Sequence, residues 1–149
     1  MVRQRLWGPP LSGPSEVVRA FGAVQAQEFL QAKWGLSQRS SSPPEAVIED
    51  PAIDAAFAEG SILRTHILRP TWHFVHRDDL RWMLRLSAPR VHQQSAPYYR
   101  QFGLDDAVVR SSQEVLRAEL TGGRQRTRKE LAASLAGAGA RRRASPWAT

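Results

Sequence analysis

The hydrophobic pattern of the chain changes its period at residue 62. Before this point, apolar side chains recur at the three- and four-residue spacing of amphipathic helices. Residues 62–68 and 71–76 are instead rich in β-branched and aromatic side chains that alternate along the chain, as in strands. Because only Arg69 and Pro70 separate the two segments, they predict an antiparallel hairpin with an unusual turn.

Helices are predicted on both sides of the hairpin. Three precede it, at residues 14–24, 27–37 and 45–58. The third contains Pro51, where a break in the helix is one alternative. Those that follow begin at Asp78, span residues 90–102 with an interruption at Pro97, and span residues 105–120 and 127–137. The pattern predicts a mainly α fold: a winged helix of three helices plus a β-hairpin, and then further helices of an incomplete second unit.

The predicted domains are residues 1–87, the first winged-helix unit, and residues 88–137, which open a second, incomplete one. Residues 138–149 form a basic tail with no apolar period, read either as disordered or as the product of a truncated or frameshifted gene. The net charge is +7, but residues 124–149 carry +6 of it, with seven basic side chains against one acidic. The total charge therefore does not indicate that the folded body binds nucleic acid.

The apolar faces predict the core. The inward residues of the second helix are expected to be Phe29, Leu30, Trp34 and Leu36. The tryptophans expected in the core are Trp7, Trp34, Trp72 and Trp82.

Several classes of protein are excluded by composition. The absence of cysteine excludes disulfides, thiolate metal sites and cysteine nucleophiles. No apolar run approaches the length of a membrane span, and Gly8 with two prolines interrupts the N-terminal segment, which does not resemble a signal peptide. These features favour a cytoplasmic protein with no membrane partner, and nothing indicates an obligate protein partner.

Three stretches together resemble one known family. They are residues 21–27 (FGAVQAQ), 62–75 (ILRTHILRPTWHFV) and 79–82 (DLRW). In this order they resemble the AlkZ/YcaQ-like family of bacterial winged-helix DNA glycosylases, over residues 5–137. That family is built from three tandem winged-helix units, so the resemblance favours the truncated reading of the tail.

The resemblance implies an activity and a site. The activity is hydrolysis of the N-glycosidic bond of alkylated purines, including cross-link adducts, in double-stranded DNA. The family's motif of two glutamines around an aliphatic residue is matched here by Gln25 and Gln27, which are the implied catalytic residues. No metal or cofactor is required. Since later units are missing, this chain is expected to be weakly active or inactive.

Without the family resemblance, the sequence favours a simpler interpretation, in which Gln25 and Gln27 are ordinary residues of a helix. On an ideal helix, positions i and i+2 point about 200° apart and cannot share a site. The catalytic interpretation therefore needs the first helix to end or distort near Val24, and nothing in residues 23–28 demands this.

Basic and histidine side chains cluster around the hairpin. Four arginines are candidate contacts to DNA phosphates, with a solvated surface paired to nearby carboxylates as the alternative: Arg64, Arg69, Arg81 and Arg85. His73 and His76 face opposite sides of a strand, so only one could join His66, and no metal site is expected.

Two other functions remain open from the sequence: a non-catalytic winged-helix DNA-binding protein and a protein-interaction module. Residues 45–59 contain five carboxylates and no arginine or lysine. Phosphates would repel such a helix, which argues against the usual recognition-helix mode of DNA binding.

Overall fold

The computed structural model describes residues 4–40, 51–68 and 71–138, which form six α-helices and three β-strands. In chain order the elements are α1 (Pro14–Phe21), β1 (Ala23–Gln25), α2 (Phe29–Ser37), α3 (Pro51–Ala58), β2 (Ile62–His66), β3 (Trp72–His76), α4 (Arg77–Gln101), α5 (Asp106–Leu120) and α6 (Arg128–Gly137). The described chain is mainly helical with a small antiparallel sheet, which is compatible with the predicted winged-helix class. Three predicted segments lie outside the described residues: residues 45–50 of the third helix, the turn at residues 69–70, and the tail from residue 139.

The chain divides into two compact units, Met1–Val91 and His92–Thr149. The predicted domain boundaries at residues 87 and 137 stay predictions. In the second unit α5 packs against α6, and the predicted capping box between Thr127 and Glu130 is present at the start of α6. The Thr127 amide and hydroxyl donate to the Glu130 carboxylate and lower the pKa of Glu130.

The predicted interruption at Pro97 is wrong, and the helix predicted to begin at Asp78 and the one predicted at residues 90–102 are a single helix, α4, which contains Pro89 and Pro97. The fixed φ of proline is compatible with helical backbone, although each proline removes one amide donor and crowds the carbonyl of the preceding turn. The loss of two hydrogen bonds does not end a helix of 25 residues.

The sheet has the strand order β1-β3-β2, with both pairs antiparallel. The predicted hairpin is confirmed by the pairing of β2 with β3, in which Arg64 lies opposite Phe74 and His66 opposite Trp72. On its other edge β3 pairs with β1, so that Gln25 lies opposite His73. This short strand was not predicted, since Val24 was assigned to the first helix.

Glycine 22 explains why the first helix ends early. Its φ of +73° is one that residues with a side chain rarely adopt, and its amide donates to the Arg19 carbonyl at 3.2 Å. The chain therefore leaves α1 after Phe21 and is free to extend as β1 along the edge of β3.

The two faces of β3 pack into two hydrophobic clusters. Phe74 is fully buried against α1, α2 and α3, with ring centroids 5.0 Å from Phe57 and 5.7 Å from Phe29. Val75, next along the strand, points to the opposite face and packs with Ile67 and Met83. Strand β3 of the hairpin thus contributes a buried residue to each of the two hydrophobic clusters of the first unit.

The predicted inward face of α2 is wrong at Leu30 and Trp34, whereas Leu36 is buried and the Phe29 ring lies 5.7 Å from the rings of Phe57 and Phe74. Ala32 and Leu36 are buried, whereas Leu30 is 55% exposed and Trp34 is 49% exposed. Each pair is spaced by four residues and so occupies one side of the helix. The small Ala32 lets α2 approach the core, which turns the larger side chains outward. Trp7 and Trp82 are also exposed and Trp72 is half-buried, contrary to the prediction that all four tryptophans are core residues.

We expect Gly22→Ala to lower the free energy of unfolding by about 1–3 kcal/mol, because a side chain at this positive φ is strained. Urea denaturation measures the change. Gly35→Ala is the matched control: Gly35 lies within α2, where alanine is favoured by up to about 1 kcal/mol. An equal or smaller loss in Gly22→Ala than in Gly35→Ala contradicts the helix-ending role of Gly22.

Candidate active site

Residues 25–27 lie where β1 leaves the sheet. Gln25 is the last residue of β1, and Ala26 is fully buried, with its amide donating to the Trp72 carbonyl at 2.8 Å. Gln25 and Gln27 are both exposed. Because α1 ends at Phe21, the geometric objection to a shared site for the two glutamines does not apply: they are not on a helix.

A cavity of about 640 Å³ opens beside β1 and α2. Its polar lining includes Gln25, Glu28 and Gln31, and its aromatic lining includes Phe21 and Trp34. Gln27 is not among the lining residues. The structure therefore brings Gln25 into the cavity and leaves Gln27 on the adjoining exposed segment.

Arg64 is directed at the backbone of this segment. Its Nε and Nη2 donate to the Ala26 carbonyl at 3.1 and 3.0 Å, and Nη2 also donates to the Gln27 carbonyl at 3.2 Å. The guanidinium carbon lies 4.5 Å from the centroid of the Trp72 ring. The side chain expected to contact DNA phosphates is thus engaged within the protein.

The other candidate arginines differ from Arg64. Arg69 lies outside the described residues, and Arg81 and Arg85 are exposed and four residues apart on α4, so they share one side of the helix. Asp78 is paired with Arg19 at 3.1 Å and with Arg77 at 4.0 Å. Contact of these arginines with DNA stays a prediction.

Two histidines of the hairpin, His73 and His76, contact backbone atoms. His73 and His76 are buried; the His73 Nδ1 lies 2.9 Å from the Thr71 carbonyl oxygen, and the His76 Nδ1 accepts from the Asp78 amide at 3.3 Å. Within residues 4–40, 51–68 and 71–138, no group of three or more His, Asp or Glu side chains is arranged to hold a metal ion.

The comparison with known families decides the relationship. A family model described as DNA glycosylase AlkZ-like matches residues 18–149. The chain belongs to the AlkZ-like DNA glycosylase family. The match confirms the family suggested by the sequence motifs, and it extends beyond residue 137, where that resemblance ends. No match was found among curated proteins or among solved structures.

Three residues that line the cavity of this AlkZ-like chain were not predicted as site residues from the sequence. Glu28, Gln31 and Trp34 are spaced by three residues and line the cavity from one side of α2. This spacing is visible in the sequence, but it indicates a site only once Gln25 is known to lie beside it. The contact of Arg64 with the Ala26 carbonyl had no local signal, because 38 residues separate the two.

We expect Gln27→Asp to change the free energy of unfolding by less than about 0.5 kcal/mol, because the side chain is exposed. Urea denaturation measures the change. Ala26→Asp is the neighbouring control and should cost about 3 kcal/mol or more, because it places a carboxylate at a fully buried position. Strong destabilisation by Gln27→Asp would show that position 27 is packed.

Proposed function

We propose that this chain provides the water-positioning part of a DNA glycosylase that hydrolyses the N-glycosidic bond of alkylated purines, cross-link adducts included. Membership of the AlkZ-like family supports glycosidic-bond chemistry on DNA. The observation that carries the proposal is the position of residues 25–27: they leave the sheet at the end of β1, Gln25 lines a cavity, and Gln27 is exposed.

Amide side chains suit this reaction. An N7-alkylated purine is already cationic, so it departs as a neutral base and leaves positive charge on the sugar. The remaining requirement is a correctly placed water. A glutamine carbonyl oxygen can accept a hydrogen bond from that water and orient it, although it is not a base at neutral pH. Hydrolysis by this route requires neither a metal nor a cofactor.

The one lysine of the first unit does not suit a covalent route. A glycosylase can instead use a lysine amine, which attacks the sugar to form a Schiff base. Lys33 and Lys129 are the only lysines of the chain, and Lys33 is the only one in the first unit. Its side chain is 7% exposed, and its Nζ is hydrogen-bonded to Asp54. Lys33 is therefore not presented to a sugar.

Charge favours some surfaces over others for double-stranded DNA. Helix α3 carries Asp54, which is paired with Lys33, and no basic residue, and Glu59 follows it, so this helix offers no free positive charge to DNA phosphates. Arg81 and Arg85 on α4 are exposed. We assign phosphate contact to these two arginines, to Arg69 and to the basic tail. The absence of arginine and lysine from α3 also disfavours a winged-helix regulator that reads bases with its third helix.

We expect residues 1–149 by themselves to excise little or no alkylated base. A glycosylase must hold the duplex, extrude a nucleotide and enclose its sugar, which requires protein surface on more than one side. The cavity beside Gln25 is formed by the first unit alone. As parts of this proposal, the substrate is alkylated DNA and the protein acts in the bacterial cytoplasm.

In a chain completed with the further winged-helix units of the family, Gln25→Ala and Gln27→Ala should each slow single-turnover excision of N7-methylguanine about 10- to 100-fold. DNA affinity should be nearly unchanged, because water placement stabilises the transition state and not the bound duplex. Quenched-flow excision and fluorescence anisotropy measure the two quantities. Gln38→Ala removes an exposed amide at the other end of α2 and serves as the control.

The proposal fails if the completed protein releases no alkylated purine. It also fails if both glutamine variants retain the full rate of excision.

Deleting residues 138–149 should reduce the salt dependence of nonspecific DNA binding. The segment contains Arg141, Arg142 and Arg143, so the slope of log Kd against log salt concentration should fall by about two to three units. Anisotropy titrations between low and moderate salt measure the slope. Replacing the same three arginines with glutamine keeps the chain length unchanged and should reduce the slope by the same amount, because the effect comes from charge. An unchanged slope would show that the tail makes no phosphate contact.

A further inference from the structure

Arg64 connects two parts of the sheet that are not neighbours. It lies on β2, whereas residues 25–27 follow from β1, and β3 separates the two strands. Its guanidinium nevertheless donates to the carbonyl oxygens of Ala26 and Gln27. The planar, rigid group can hold two adjacent carbonyls in a fixed relation, which a lysine ammonium cannot do.

The Arg64 side chain is itself held in place. Its guanidinium carbon lies 4.5 Å from the ring centroid of Trp72 and 5.5 Å from that of Phe29, distances at which a cation is attracted to an aromatic face. Trp72 also accepts the Ala26 amide hydrogen bond at its carbonyl oxygen. Residue 26 is therefore fixed through both of its backbone polar groups by residues of the hairpin.

We infer that Arg64 is a positioning residue for the glutamine motif, and not a DNA-phosphate contact. The inference rests on the proposed function. By fixing the carbonyls of residues 26 and 27, Arg64 sets the backbone from which Gln25 and Gln27 project. Catalysis is sensitive to displacements of about 1 Å in such groups. The hairpin thereby acts on the site through the backbone of the motif, without touching the reacting atoms.

The first experiment uses the 149-residue chain and needs no activity. Amide hydrogen exchange and 1H–15N NMR spectra are compared for wild type, Arg64→Gln, Arg64→Lys and Arg81→Gln. We expect Arg64→Gln to shift the signals of residues 25–28 and to speed exchange of the Ala26 amide, with a smaller effect in Arg64→Lys. Arg81→Gln removes the same charge from α4 and should leave these signals unchanged. Unchanged signals in Arg64→Gln would overturn the inference.

The second experiment separates positioning from DNA contact in the completed protein described above. Arg64→Gln should lower the maximal single-turnover rate about 10- to 100-fold while leaving the half-saturating enzyme concentration nearly unchanged. Arg64→Lys should recover part of that rate, since one hydrogen bond can re-form. A weaker affinity and a smaller salt slope at full maximal rate would instead show a phosphate contact and overturn the inference.

Parallel measurement of Gln25→Ala and Gln27→Ala distinguishes the two failures. If the glutamine variants are slow and Arg64→Gln is not, only the role of Arg64 is wrong. If none of the three slows excision, the proposed function fails and the role of Arg64 fails with it. Urea denaturation of each variant confirms that the compared proteins are equally folded under the assay conditions.

Discussion

Three residues of backbone pairing between β1 and β3 determine the local geometry on which the site depends. Ala23, Val24 and Gln25 lie opposite Val75, Phe74 and His73. This pairing continues in the hydrogen bond from the Ala26 amide to the Trp72 carbonyl, so the motif remains attached to the hairpin beyond the strand itself. Since Phe74 and Val75 are fully buried, the site is attached directly to the hydrophobic core of the first unit.

The residues that hold the motif and those that would act chemically are different. Arg64 and Trp72 bind the backbone of residues 26 and 27, while the side chains of Gln25 and Gln27 stay exposed. This division suits a reaction in which water must be oriented, because the orienting amides need a rigid base and open access together. The buried Lys33 and the backbone-bound His73 are used for structure in the same unit.

Much of the fold follows from periodicity, whereas the site does not. The hairpin and the capping box at Thr127 were predictable because their signals are local: alternation of side chains, and a hydroxyl three residues before a carboxylate. Strand β1 was not predictable, because Val24 continues the apolar face of α1 and the only local sign of a break is Gly22. Its partner strand β3 begins at Trp72, 47 residues after Gln25. The pairing of Gln25 with His73 is therefore a tertiary contact that no local sequence pattern indicates.

The site residues show the same difference. Gln25 and Gln27 were identified through the family motif, and the family model confirms that relationship without testing their roles. Arg64 was identified as basic and close to the hairpin, which is all that the sequence offers. Its inward direction depends on the register that places it opposite Phe74, with the rings of Trp72 and Phe29 within reach.

NMR of the 149-residue chain can show directly whether residues 23–26 leave the first helix and stay attached to the hairpin. We expect strand-type 13Cα and 13Cβ secondary shifts at Ala23, Val24 and Gln25, slow exchange of the Ala26 amide, and cross-strand NOEs between Gln25 and His73. Helical shifts that continue from α1 through Gln27, without cross-strand NOEs, would contradict it. The two glutamines would then project about 200° apart from a helix and could not act together.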